Sequence, residues 1–208
     1  MTILLASNSA IAINKIKKLV NKPAKDIKVA MITTASKGGV PTLDYLDKAK
    51  KLLTAQGYDF TEFDIETVSE KEIEQILNSD VMFMEGGNVY YLMRAIRQTG
   101  FDKIIKQFLG QGNVYIGASA GSYVMCPSIE MGDWKTPDRD KFGLIDFKGL
   151  NYVPFCLFAH YQPEHDKILQ QKIPNLKHPL RILKDGQAIL VKDKKIELVG
   201  EGQEIIIK

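Results

Sequence analysis

The chain has 208 residues, 45% hydrophobic and 25% charged, with a formal net charge of +3. That length suits one domain, 1–208, with a sizeable core, and the composition is that of an ordinary water-soluble globular protein. So small a charge is too weak to imply a nucleic-acid partner, and the lysine runs "KIKK" (15–18) and "KDKK" (192–195) read as solvated faces or turns.

No apolar stretch approaches the ~20 residues of a membrane-spanning helix. The opening "MTILLASNSAIAINK" lacks a basic start and soon turns polar, unlike a signal peptide. The expectation is a cytoplasmic protein, a monomer or small homo-oligomer, with no nucleic-acid or membrane partner. Cys126 and Cys156 are then expected as reduced, buried thiols.

In chain order, strands are predicted at 2–7, 28–34, 59–64, 81–85 and 114–118. Several are continuous apolar runs, which suits strands covered on both faces of a parallel sheet. Between them lie amphipathic helices. Leu43, Leu46, Ala49 and Leu53 share one face, with Thr42 as cap and Gly57 as stop. Ser69 and Glu72 fit a capping box. Val89, Leu92, Met93 and Ile96 follow a cap at Asn88, and Phe101, Ile104, Ile105 and Phe108 follow in turn. Repeated strand–helix units predict a three-layer α/β fold with a doubly wound, mostly parallel sheet. The segment 181–208, broken by "KDGQ", "KDKK" and "GEGQ", predicts antiparallel hairpins on the sheet edge. The stretch 131–143 reads as a long loop.

Gly-Ala-Ser-Ala-Gly (117–121) stands where the fifth strand meets a short helix. A serine on such a turn exposes its hydroxyl at the carboxyl edge of the sheet, and small neighbours permit close strand–helix approach. Ser119 is therefore a candidate nucleophile, with the amide of Ala120 placed to receive an oxyanion. The alternative is a glycine-rich turn with a helix-capping serine. A nucleophilic serine needs a base. Of His160, His165 and His178, His160 has the best context, at the end of the apolar run in "VPFCLFAHYQPEH". If that run is parallel to the other strands, His160 falls on the edge where Ser119 emerges. His165 is surface or substrate-facing. Asp185, in the turn "KDG", could orient the imidazole or could be ordinary turn chemistry. In "VMFMEGGNVYYLM" (81–93) the glycine pair precedes a helix, and Gly87 could supply the second oxyanion donor. The histidines lack ligand spacing and the cysteines are isolated, so neither metal nor cofactor is expected.

"ILLASNS", "EGGNVYYL", "GASAGSYVMCP", "VPFCLFAHY" and "LKDGQAILV", in this order, resemble the peptidase E family of aspartyl dipeptidases, to which cyanophycinases are related. The resemblance covers most of the chain. It implies a serine exopeptidase on a glutamine-amidotransferase-like α/β fold. Ser119 would be the nucleophile and His160 the base, with Gly87 and Ala120 at the oxyanion positions. The family's third residue is usually a glutamate; here Asp185 would take that role, one methylene shorter. The segment after His160 departs from the family in length and charge. Small peptides, with Asp-X dipeptides among them, are the expected substrates. Asn88, Arg139 and His165 are candidate substrate contacts, and Lys141, Lys167 and Arg181 are further cations. An α/β-hydrolase esterase is disfavoured because the acid follows the histidine, and a glutamine amidotransferase because the nucleophile is not cysteine. A non-catalytic binding protein on this scaffold is the reading from another class.

Overall fold

The computed structural model describes residues 1–39, 43–135 and 142–205. Its elements run β1 (Thr2–Ala6), α1 (Ser9–Ile13), α2 (Ile16–Val20), β2 (Lys28–Ile32), α3 (Asp44–Ala55), β3 (Asp59–Phe63), α4 (Glu70–Leu77), β4 (Val81–Met84), α5 (Val89–Thr99), α6 (Phe101–Gly110), β5 (Val114–Ala118), α7 (Ala120–Tyr123), β6 (Cys156–Phe158), α8 (Asp166–Lys172), β7 (Leu180–Ile182), β8 (Gln187–Lys192) and β9 (Lys195–Gly200).

Seven strands form one sheet in the order β3-β2-β4-β5-β1-β8-β9. The first five in sequence are mutually parallel, while β8 is antiparallel to β1 and β9 to β8. Strand side chains alternate between faces, so the continuous apolar runs feed two cores. Ile3, Leu5, Ile32, Met82 and Met84 pack on one face against α5 and α6. Leu4, Met31, Phe83 and Ile116 pack on the other against α1, α2 and α3. The result is the expected three layers.

Local signals hold where they can be compared. Asn88 caps α5 by accepting from Tyr90 and Tyr91 N–H, and Ser69 forms a reciprocal capping box with Glu72. Thr42 lies outside the described residues. Leu43 departs from expectation: it precedes α3 and is exposed, so the buried stripe is Leu46, Ala49 and Leu53. The cysteines are free and buried.

Two expectations about the second half are corrected. Among the described residues the tail holds one antiparallel hairpin, β8–β9, turned at Asp193–Lys194. The strand before it, β7, instead lies parallel to β6 in a separate two-stranded sheet. The run ending at His160 therefore does not join the main sheet, where β8 occupies the edge of β1. A third, smaller core, with Met131, Trp134, Phe158, Leu169 and Ile182, supports this small sheet.

Candidate active site

Ser119 sits between β5 and α7 with φ 48° and ψ −109°. A non-glycine residue holds such a conformation only when its surroundings over-determine it. Here they do. Ser119 N–H donates to Ala6 O at 3.0 Å, and Ser122 Oγ lies 2.9 Å from Ala6 O and 2.8 Å from Gly117 O. The flanking glycines are needed for contact: a Cβ on Gly117 would stand 2.4 Å from Gly121 O, and one on Gly121 would stand 2.1 Å from Met84 O. The Ser119 hydroxyl makes no helix-capping bond. It lies 3.0 Å from His160 Nε2.

His160 also has positive φ, 54°. It follows β6 by two residues, and Asp185 follows β7 by three. Because the two strands are parallel and in register, Phe158 opposite Ile182, both side chains leave the same end. His160 Nδ1 and Asp185 Oδ1 are 2.6 Å apart. The shorter carboxylate thus reaches the imidazole. Ser7, at the end of β1, joins this small sheet to the large one: its Oγ donates to Asp185 Oδ1 at 2.7 Å and accepts from His160 N–H at 2.9 Å. The bond to His160 is the main cause that holds the Asp185 carboxyl down to about 2.

Two pockets meet at this pair. One, of about 460 Å³, is bounded by Tyr45, Leu52 and Glu85; the other, of about 150 Å³, by Ala120, Tyr123, Met131 and Lys135. Gly87, Ser119 and His160 border both. Ala120 opens α7, so its N–H has no partner within that helix.

The predicted site residues divide. Ser119, His160, Asp185, Gly87 and Ala120 come together. Asn88 does not reach either pocket: its amide is spent inside the fold, capping α5 and donating to Gly38 O at 3.0 Å. His165 borders neither pocket; its Nδ1 accepts from Gln162 N–H, and its ring meets Phe158 edge-on. Arg139 and Lys141 lie outside the described residues. Arg181 pairs with Glu204, and Lys167 is exposed. Three residues were missed from sequence: Ser7, Glu85 and Lys135. Ser7 carried a weak signal, the polar "SNS" ending an apolar strand; Glu85 and Lys135 carried none that separates them from other charged residues.

Likeness to known proteins puts the chain among the peptidases. An uncharacterized peptidase of Listeria innocua is 32% identical over 159 residues, 73% of this chain and 75% of the relative. Peptidase E of Nostoc sp. is 31% identical over 166 residues, 75% of this chain and 66% of the relative. A crystal structure of a candidate peptidase E from Listeria monocytogenes EGD-e matches with a TM-score of 0.83 at 26% identity, over 97% of this chain and 98% of that one. The family model of peptidase family S51 matches residues 3–199, and the chain belongs to that family.

Proposed function

We propose that this peptidase is a cytoplasmic serine exopeptidase that hydrolyses small peptides, Asp-X dipeptides among them. The observation that carries the reading is the unbroken run of contacts from Ser119 Oγ through His160 to Asp185, at 3.0 and 2.6 Å. In this reading His160 Nε2 takes the hydroxyl proton as Ser119 attacks the scissile carbonyl. Asp185 holds the imidazole by Nδ1–H and stabilises its cationic form. The amides of Gly87 and Ala120 receive the developing oxyanion. His160 then protonates the leaving amine, and water hydrolyses the acyl-enzyme by the reverse sequence. Among the described residues no helix is long and apolar enough to cross a membrane, which is compatible with a cytoplasmic site of action.

The test is hydrolysis of a peptide panel rich in Asp-X, with Ser119→Ala as control. Turnover falling by at least ~10³-fold in the variant supports the reading. Equal turnover by both proteins overturns it.

A further inference from the structure

The two pockets that share Ser119 carry groups of opposite charge. Glu85 belongs to the larger one. It is fully buried; its Oε2 accepts from Ser9 Oγ and Gly86 N–H, each at 2.8 Å, while Oε1 has no hydrogen-bond partner among the described residues. Burial pushes its pKa up to about 7, and the same burial leaves the carboxylate's field poorly screened, so that it acts on a cation in the pocket through the floor, its oxygens being covered. A buried carboxylate with an open acceptor is unfavourable until a cation compensates it. Lys48 also borders this pocket, but it is exposed, where solvent screens its charge.

Lys135 belongs to the smaller pocket. Its ammonium donates to Ala159 O and lies 4.5 Å from the centre of the Phe158 ring, which fixes the side chain and leaves further N–H groups for an anion. Desolvation lowers its pKa to about 8, so the cation persists at neutral pH.

A free dipeptide carries an ammonium on one side of its peptide bond and a carboxylate on the other. We infer that the site reads both: Glu85 receives the α-ammonium of the acyl-donating residue, and Lys135 receives the carboxylate of the leaving amino acid. The inference rests on the peptidase reading above and turns an exopeptidase into an enzyme for short peptides with both ends free. The apolar walls from Tyr45, Ala49 and Leu52 suit an aliphatic residue beside the ammonium.

The test measures calorimetric binding of Leu-Leu, N-acetyl-Leu-Leu and Leu-Leu-amide to the Ser119→Ala protein. Each cap is expected to weaken binding by about 10–100-fold, amidation through loss of a hydrogen bond to a charged group and acetylation through loss of a charge–charge attraction across the poorly screened floor. Adding Glu85→Gln should remove the penalty for acetylation only, and Lys135→Met the penalty for amidation only. A general structural loss would not produce that crossed pattern. Equal binding of free and capped peptides overturns the inference without any variant. Asp-Leu and Asn-Leu, each with and without a terminal amide, distinguish the source of the carboxylate. A Lys135-dependent preference for Asp-Leu that survives amidation overturns the terminal assignment in favour of an acidic side chain. Hydrolysis of the same peptides by the parent chain separates the two readings: cleavage without discrimination sinks the charge subsites alone, and crossed binding without Ser119-dependent cleavage sinks the peptidase mechanism alone.

Discussion

At Ser119 the strained backbone and the glycines around it form one device. A conformation with φ 48° costs of order 1–3 kcal/mol and is maintained by close packing of β5, α7 and β4. Gly121→Ala would drive a methyl into Met84 O and should destabilise by about 3 kcal/mol. For a chain of this size, that lowers the melting temperature by roughly 6–12 °C; an unchanged thermal transition would contradict the packing argument. Gly87 is a poor place to probe the oxyanion hole by bulk, because with φ +140° any Cβ would meet Ala35 O at 2.4 Å. Gly86→Ala is cleaner. Its methyl would sit 3.3 Å from Ser119 Cβ, without positive φ, so kcat should fall while the melting temperature moves little. Glu85 gives a pH signature. Its folded pKa is raised from 4.5 to about 7, so the folded chain binds this proton more tightly than the unfolded chain. Its contribution to stability is full below about pH 4.5 and is lost as pH rises through 7, a change of at most about 3 kcal/mol. Glu85→Gln should therefore raise the melting temperature at pH 8 and leave it unchanged at pH 4. A gain of the same size at both pH values would mean that ionisation is not the cause.

Among the elements, legibility followed length and periodicity. The five parallel strands were readable because burial on both faces makes them apolar throughout, and α4 and α5 because their caps are side-chain chemistry visible in sequence. The strands β6 and β7 have three residues each, too few to display a period. Their pairing is a tertiary fact set by the small core beneath them. Hence His160 and Asp185 could be picked out as residues, while the sheet that aligns them could not. Asn88 reads in sequence both as the cap of α5 and as a candidate substrate contact; its amide is used for the cap and for Gly38 O. Ser7, fully buried, is the tie between the two sheets. Ser7→Ala removes the acceptor for His160 N–H and the donor to Asp185. The bond to the Asp185 carboxylate is the larger of the two, worth about 1.5–3 kcal/mol, so kcat/KM should fall by roughly 10–100-fold, less than for Ser119→Ala. A fall as large as that of Ser119→Ala would place Ser7 in the chemistry itself.

The whole molecule divides its candidate site between cores of unequal size. Ser119 and Ala120 stand on the main sheet and its cores; His160, Asp185 and Lys135 depend on the small sheet and the core that holds Trp134, Phe158 and Leu169. Proteins open locally in units of different stability, and the unit with fewer buried apolar groups opens first. The two cysteines report on this division. Cys126 lies in the main core and Cys156 in the small one, and burial pushes both thiols up, Cys156 to about 11. Thiolate is the reactive form, so neither should react with a disulfide reagent in the native chain at neutral pH. In a gradient of urea, Cys156 should become reactive before Cys126, and Ser119-dependent hydrolysis should disappear with the first thiol. That order follows because, although Leu157, Ala159 and Leu183 anchor one face of the small sheet in the main core, its other face rests on the smaller core, and the seven-stranded sheet remains paired without it. Simultaneous labelling at the global transition, with activity lost only there, would show instead that the Ser7 tie makes the two cores one cooperative unit.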